Sequence, residues 1–335
     1  MKKILPGMLI CVAAAVPAYL IGRAVPAVGG PIIGMLFGII LSVAWKRPAS
    51  MAAGIAFTSK NVLQYSIVLL GFGMNLFAVL ETGGRTLFLM AFTFSAAFLS
   101  AWVLGKALKA PRNANILIGV GTAICGGSAI MAVAPVIGAD DEEIASSIST
   151  IFLFNIIAAF LFPPIGHLLG MSDDQFGLWA GTAINDTSSV VAAGYAFSDA
   201  AGGLAVIVKL TRTLMIVPVT LALAISEARR SLHARHKTAG AGENPASGKS
   251  HFAKAFPWFV AGFAATSVIV TFVPLPGLAA PALASIGKFA IIAAMAAIGL
   301  NTNIPKLLKN GLRPVLLGFC VWMVLSACSL AMQLL

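Results

Sequence analysis

Charge is scarce in this sequence. Only 10% of its 335 residues are Asp, Glu, Lys or Arg, whereas 59% are apolar. A soluble domain carries about 25% charged residues, so a water-soluble globule is excluded, and the mean hydropathy of +0.96 agrees. Disorder is excluded as well, because it requires low hydrophobicity and high charge. The short alternating segments of a transmembrane β-barrel are missing. Cysteine is nearly absent: Cys11, Cys125, Cys320 and Cys328 all fall in apolar runs without metal-ligand spacing, so no disulfide framework, zinc site or cofactor is implied. No Gly-x4-Gly-Lys-Ser/Thr loop, His-Glu-x-x-His or Gly-x-Ser-x-Gly occurs, which argues against an ATP-driven pump and against an enzyme. Acidic residues are half as common as basic ones, giving a net charge of +11. In so apolar a chain this surplus marks cytoplasmic loops rather than a nucleic-acid surface.

The sequence is dominated by long apolar runs, with 33 glycines and 17 prolines among them. A spanning helix needs about 20 such residues. Eleven runs qualify, near 4–22, 26–45, 61–80, 86–105, 114–138, 144–169, 176–197, 203–226, 254–274, 281–300 and 314–334. The fold class expected is therefore an all-α polytopic protein of a plasma (inner) membrane. The first run also has the basic start and apolar middle of a signal peptide, but is read as a span. With the N-terminus in the cytoplasm and the C-terminus outside, most of the lysines and arginines collect in inside segments, from Lys2-Lys3 to Arg313. The acidic run Asp140-Asp141-Glu142-Glu143 then falls outside. Residues 228–251, rich in Gly, Ser and basic types, read as a cytoplasmic linker. They divide a membrane block of residues 1–227 from a second block of residues 252–335. Three of the four histidines (His233, His236, His251) lie in this linker and read as solvated loop residues.

Two internal similarities stand out. An offset of 228 aligns Lys60 with Lys288, Gly71 with Gly299, Asn75 with Asn303 and Arg85 with Arg313. The two segments run in opposite directions through the bilayer, as in the inverted repeats of secondary transporters. The fifth and seventh runs share Gly-Thr-Ala-Ile, at 121–124 and 181–184, and both then turn polar. Gly126-Gly127 weakens the helix, and Ser128 is placed to cap a new half-helix. A half-helix N-terminus inside a membrane offers unpaired N–H groups to an anion. Thr122, Cys125, Gly126, Gly127, Ser128, Asn185, Thr187, Ser188 and Ser189 are therefore the candidate binding residues. Close packing of small residues is the alternative reading of the glycines.

Asp186 is the informative charge. A carboxylate in a span is costly and faces a cavity or a partner. Lys209 and Arg212, three apart on one helix face, are its candidate partners. The pair is either a structural staple or, with charge left over, part of an anion site.

These motifs resemble the sulfate exporter family, the YeiH-like membrane proteins. The resemblance rests on Gly121 to Ile130, on Gly181 to Gly194, on Lys209-Leu-Thr-Arg212 and on Leu70-Gly-Phe-Gly73, and it extends over nearly the whole chain. It implies a distant relation to the bile-acid-symporter and Na+/H+-antiporter folds, with inverted repeats and broken helices at the core. Many members carry His-Glu where this chain has Asn185-Asp186, so the acid is kept and the imidazole lost. The expected function is ion-coupled secondary transport of a small anion, sulfate or an organosulfonate, with H+ or Na+ bound at Asp186. A cation/proton antiporter is the alternative. The bilayer and the small anion are the expected partners, no nucleic acid is, and a homo-oligomer is left open.

Overall fold

The computed structural model describes residues 4–24, 29–45, 48–237, 258–273, 275–302 and 312–334. All of its regular structure in these residues is helical. The N-terminal helices are α1 (Leu5–Ala24), α2 (Gly30–Ala44), α3 (Ala49–Phe57) and α4 (Leu63–Leu70). A π-helical turn, Thr58–Val62, joins α3 to α4, and a 3-10 turn, Gly71–Gly73, ends α4. The long α5 (Leu76–Ala107) follows, then α6 (Arg112–Ala123), α7 (Gly127–Ile137), α8 (Asp141–Leu168), α9 (Asp173–Ala183) and α10 (Thr187–Phe197). Next come α11 (Asp199–Thr213), α12 (Ile216–Lys237), α13 (Trp258–Phe272), α14 (Ala279–Asn301) and α15 (Leu312–Leu334). Among the described residues, six stretches are long and apolar enough to cross a bilayer: Leu5–Ala24, Val79–Ala107, Asp141–Leu168, Asp199–Glu227, Ala279–Asn301 and Leu312–Gln333. Shorter apolar helices, α2 and α13 among them, pack between these. The chain is a multi-pass membrane protein.

The third span is not where the run of residues 61–80 puts it. The helix begins at Ala49 and reaches Gly73 through the π-turn, and residues 76–80 already belong to α5. At this end Gly71 packs closely on α13, where a Cβ would lie 2.6 Å from the Phe263 carbonyl oxygen. Asn75 then caps α5 by accepting from the Phe77 N–H at 2.8 Å. Lys60 is consequently a helical residue within the third span.

The larger departure concerns the fifth and seventh runs, which do not cross. Half-helices α6 and α7 have 12 and 11 residues, about 18 Å and 16 Å of rise, each half of a hydrocarbon core of about 30 Å. They form a hairpin whose two ends lie on one side. Asn113, at the start of α6, donates to Glu143 at the start of α8 at 2.9 Å. Half-helices α9 and α10 form a second hairpin. Ser198, after α10, donates to Asp173 at the start of α9 at 2.6 Å, and Phe197 stacks on Phe176 with centroids 4.0 Å apart. Because α8 crosses fully between them, the hairpins enter from opposite sides. The Asp140–Glu143 segment therefore shares a side with Arg112, which pairs with Glu227 of α12. The sequence reading puts these two segments on opposite sides, and that division does not hold. Two crossings are lost together, so the basic segments still fall on one side.

The two segments divided at the linker are interleaved. Helix α14 packs along α2 and against α1 and α4, while α15 packs against α5 and the hairpins. The α2–α14 seam is close: a Cβ on Gly38 would sit 2.1 Å from the Ala296 carbonyl, the small-residue contact that lets membrane helices touch. Helix α12 continues through residues 228–237, and the rest of the linker lies outside the described residues.

Candidate functional site

The two hairpin tips meet at the centre of the protein. At each tip the helix stops after Gly-Thr-Ala, and three residues are unwound: Ile124-Cys125-Gly126 in the first, Ile184-Asn185-Asp186 in the second. Gly126 takes φ +71 and ψ −129, a region almost closed to side-chain-bearing residues. A Cβ there would touch Asp186 at 3.5 Å, so the tips abut at this pair.

The last carbonyls of α6 and α9 have no helical partner and carry partial negative charge. Lys209 and Arg212, both fully buried on α11, supply the missing donors. Lys209 Nζ donates to the Ile124 oxygen at 3.0 Å and the Ile184 oxygen at 2.9 Å. Arg212 donates Nη2 to Thr122, Nε to Ala123 and Nη1 to Thr182. The equivalent residues of the repeated Gly-Thr-Ala-Ile thus share one cation: the threonines bond Arg212 and the isoleucines bond Lys209. Among the described residues neither cation forms an ion pair with a carboxylate. Their partners are backbone oxygens, not Asp186.

Asp186 has another role. It caps α10, accepting from the Ser188 N–H at 2.9 Å and from the Ser188 hydroxyl. Behind it, Asn155 of α8 accepts from the backbone N–H groups of Asn185 and Asp186 at 3.0 and 3.2 Å. The N-terminus of α7 is different. It starts at Gly127, two residues earlier than the capping reading of Ser128 required, and no side chain caps it. The Ser128 side chain is exposed to a cavity instead.

That cavity has a volume of about 380 Å³. The hairpin side contributes Ser128, Asp186, Thr187 and Ser188, with Phe152 of α8. Facing them are Ser59, Lys60, Gln64 and neighbouring apolar residues of the third span, Phe259, and Ile298 and Asn301 of α14. Asn301 ends α14 on the side where α1 begins, so the cavity lies between the tips and that side. Of the sequence-derived candidates, four line it. Thr122, Cys125, Gly126, Asn185, Ser189, Lys209 and Arg212 are buried behind the tips, and Gly127 is half-buried. The Thr122 hydroxyl and the Asn185 amide have no side-chain hydrogen bond there.

Sequence reading missed Ser59, Lys60, Gln64 and Asn301. The signal was the polar triplet Ser59-Lys60-Asn61 between apolar residues. Thr58 and Ser59 donate back to the Gly54 and Ala56 carbonyls at 2.8 and 3.1 Å, where the helix widens into its π-turn. Such turns gather at functional sites.

Comparison with known proteins gives a consistent result. A family described as Conserved hypothetical protein 698 matches residues 6–318. A UPF0324 membrane protein of Fusobacterium nucleatum is 42% identical over 99% of this chain and 98% of its own length. One from Streptococcus mutans is 45% identical over 98% of this chain and 96% of its own.

Proposed function

The chain belongs to the UPF0324 family of membrane proteins, and on that premise we propose that it is a secondary transporter of a small anion, coupled to a cation at Asp186. The observation that carries this reading is the cavity between opposed hairpin tips, with Lys60 on one wall and Asp186 beside the uncapped N-terminus of α7 on the other. Free N–H groups, the Ser128 hydroxyl and the Lys60 ammonium together suit an oxyanion such as sulfate or a sulfonate. The volume suits a substrate of a few heavy atoms with retained water. Asp186 supplies the one carboxylate facing the cavity among its lining residues. It offers a proton, or a sodium ion with Thr187 and Ser188, a place beside the anion. The cation-antiporter reading accounts for Asp186 but leaves Lys60 in the same cavity without a use, so the anion reading is preferred. The basic segments support a cytoplasmic N-terminal side, and with it a cytoplasmic cavity mouth. Purified protein in liposomes tests the function: sulfate flux that responds to a pH or sodium gradient supports it. Gradient-driven cation exchange with no anion flux would replace it by the antiporter.

A further inference from the structure

The hairpins and their following helices are related by inversion, and the structure is unequal on its two sides. On the side away from the N-terminus the hairpin is packed shut. Helix α10 lies against α2 and α14, and a Cβ on Gly29 would lie 2.5 Å from the Ala196 backbone. Lys288 of α14 pairs there with Asp199 at 2.8 Å and lies 5.8 Å from the Tyr195 ring. On the N-terminal side α7 has no comparable packing on the third span or α13, and the cavity fills that place.

The inversion identifies the counterparts of the closed pair. Asp199 is the first residue of α11, directly after the N-cap Ser198. Asp141 is the first residue of α8, directly after the N-cap Asp140. Lys288 corresponds to Lys60 through the 228-residue offset. Lys60 and Asp141 are both exposed, and neither forms an ion pair among the described residues. We propose that Lys60 and Asp141 form the N-terminal-side gate that mirrors Lys288–Asp199, and that the two ion pairs are made alternately. This rests on the transport reading, since alternate closure is what moves a bound anion from one side to the other. Because Lys60 also faces the anion, substrate and Asp141 compete for one ammonium.

Cross-linking tests the gate separately from flux. Lys60→Cys and Asp141→Cys are combined in a chain whose four native cysteines are replaced, and the protein in liposomes is treated with a short bifunctional thiol reagent. The pair should cross-link. Adding Asp199→Asn, which removes the opposing pair, should raise the linked fraction about two- to fivefold, the range an exposed ion pair can supply. As a second measurement, Asp141→Lys should speed thiol labelling of Ser128→Cys from the N-terminal side, and Asp199→Asn should slow it. Persistent flux with no cross-link and unchanged labelling overturns the gate and leaves the transport reading intact. A responsive cross-link without flux of any small anion keeps the gate and overturns the transport reading.

Discussion

Arg212 and Lys209 are each held by carbonyl oxygens from both hairpins, so they join the tips rather than bind a solute. Removing one buried partner leaves orphaned oxygens that cost about 1–3 kcal/mol each. Arg212→Ala should therefore lose at least about 3 kcal/mol, read as a large drop in thermal stability in detergent. Arg212→Lys should recover part of it, because an ammonium lacks the planar fork. Asp186→Asn should behave differently: Asn and Asp cap helices about equally well. Its stability should change by less than about 0.5 kcal/mol, while flux loses its response to the coupling gradient. A variant that keeps gradient-driven flux would remove Asp186 from the coupling role. Lys60→Gln should weaken sulfate binding about tenfold, the worth of one charge-assisted contact, measured by calorimetry. The roles of the charged residues were only half legible in the sequence. A cation in a span announces itself, but its partners were backbone oxygens, which every residue carries. Lys60 was read as a loop residue because it sits at the edge of an apolar run.

At the scale of elements, the hairpins were the hardest feature to read. Two half-helices and an unwound tip need about as many apolar residues as one crossing, so run length alone does not separate them. The break itself was legible, from Gly126-Gly127 and from Asn185-Asp186. What settles the fold-back is contact between segments distant in sequence, such as Asn113 with Glu143. Labelling checks it: cysteines at Glu142 and at Asp174 should react from opposite sides, with Glu142→Cys on the same side as Lys109→Cys. Labelling of Glu142→Cys from the other side would restore a crossing at α6–α7. Gly126→Ala introduces a side chain at φ +71 without a clash, since its nearest neighbour is 3.5 Å away. Backbone strain alone should cost about 1–3 kcal/mol, visible as a lower melting temperature and a retained oligomeric profile.

Over the whole molecule, the basic and acidic residues obey different rules. Lys and Arg fix orientation, while Asp and Glu contribute little. This is why the acidic Asp140–Glu143 segment shares the side of the basic loops without disturbing the orientation. The repetition was visible in two offsets, 60 for the hairpins and 228 for the third span and α14. Only the second read as inverted, because two full crossings at the fifth and seventh runs would be parallel. Only packing shows that they belong to one arrangement, with α5 against the first hairpin and α15 against the second.

The order in which the chain is made gives the buried cations one more consequence. Residues 112–137 and 173–197 leave the ribosome before residues 199–213, so both sets of carbonyl oxygens exist when Lys209 and Arg212 reach the bilayer. A charge that would cost about 2.5–3.5 kcal/mol in lipid can enter an interior already furnished with acceptors. Helix α15 has no such timing. Trp179 waits for the carbonyl of Ser326 and Gln175 for that of Gln333, so the second hairpin stays incompletely tethered until α15 has been made. Nascent chains stopped before α15 should therefore hold the two tips together through Lys209 and Arg212, while the start of α9 remains open to protease or thiol reagent.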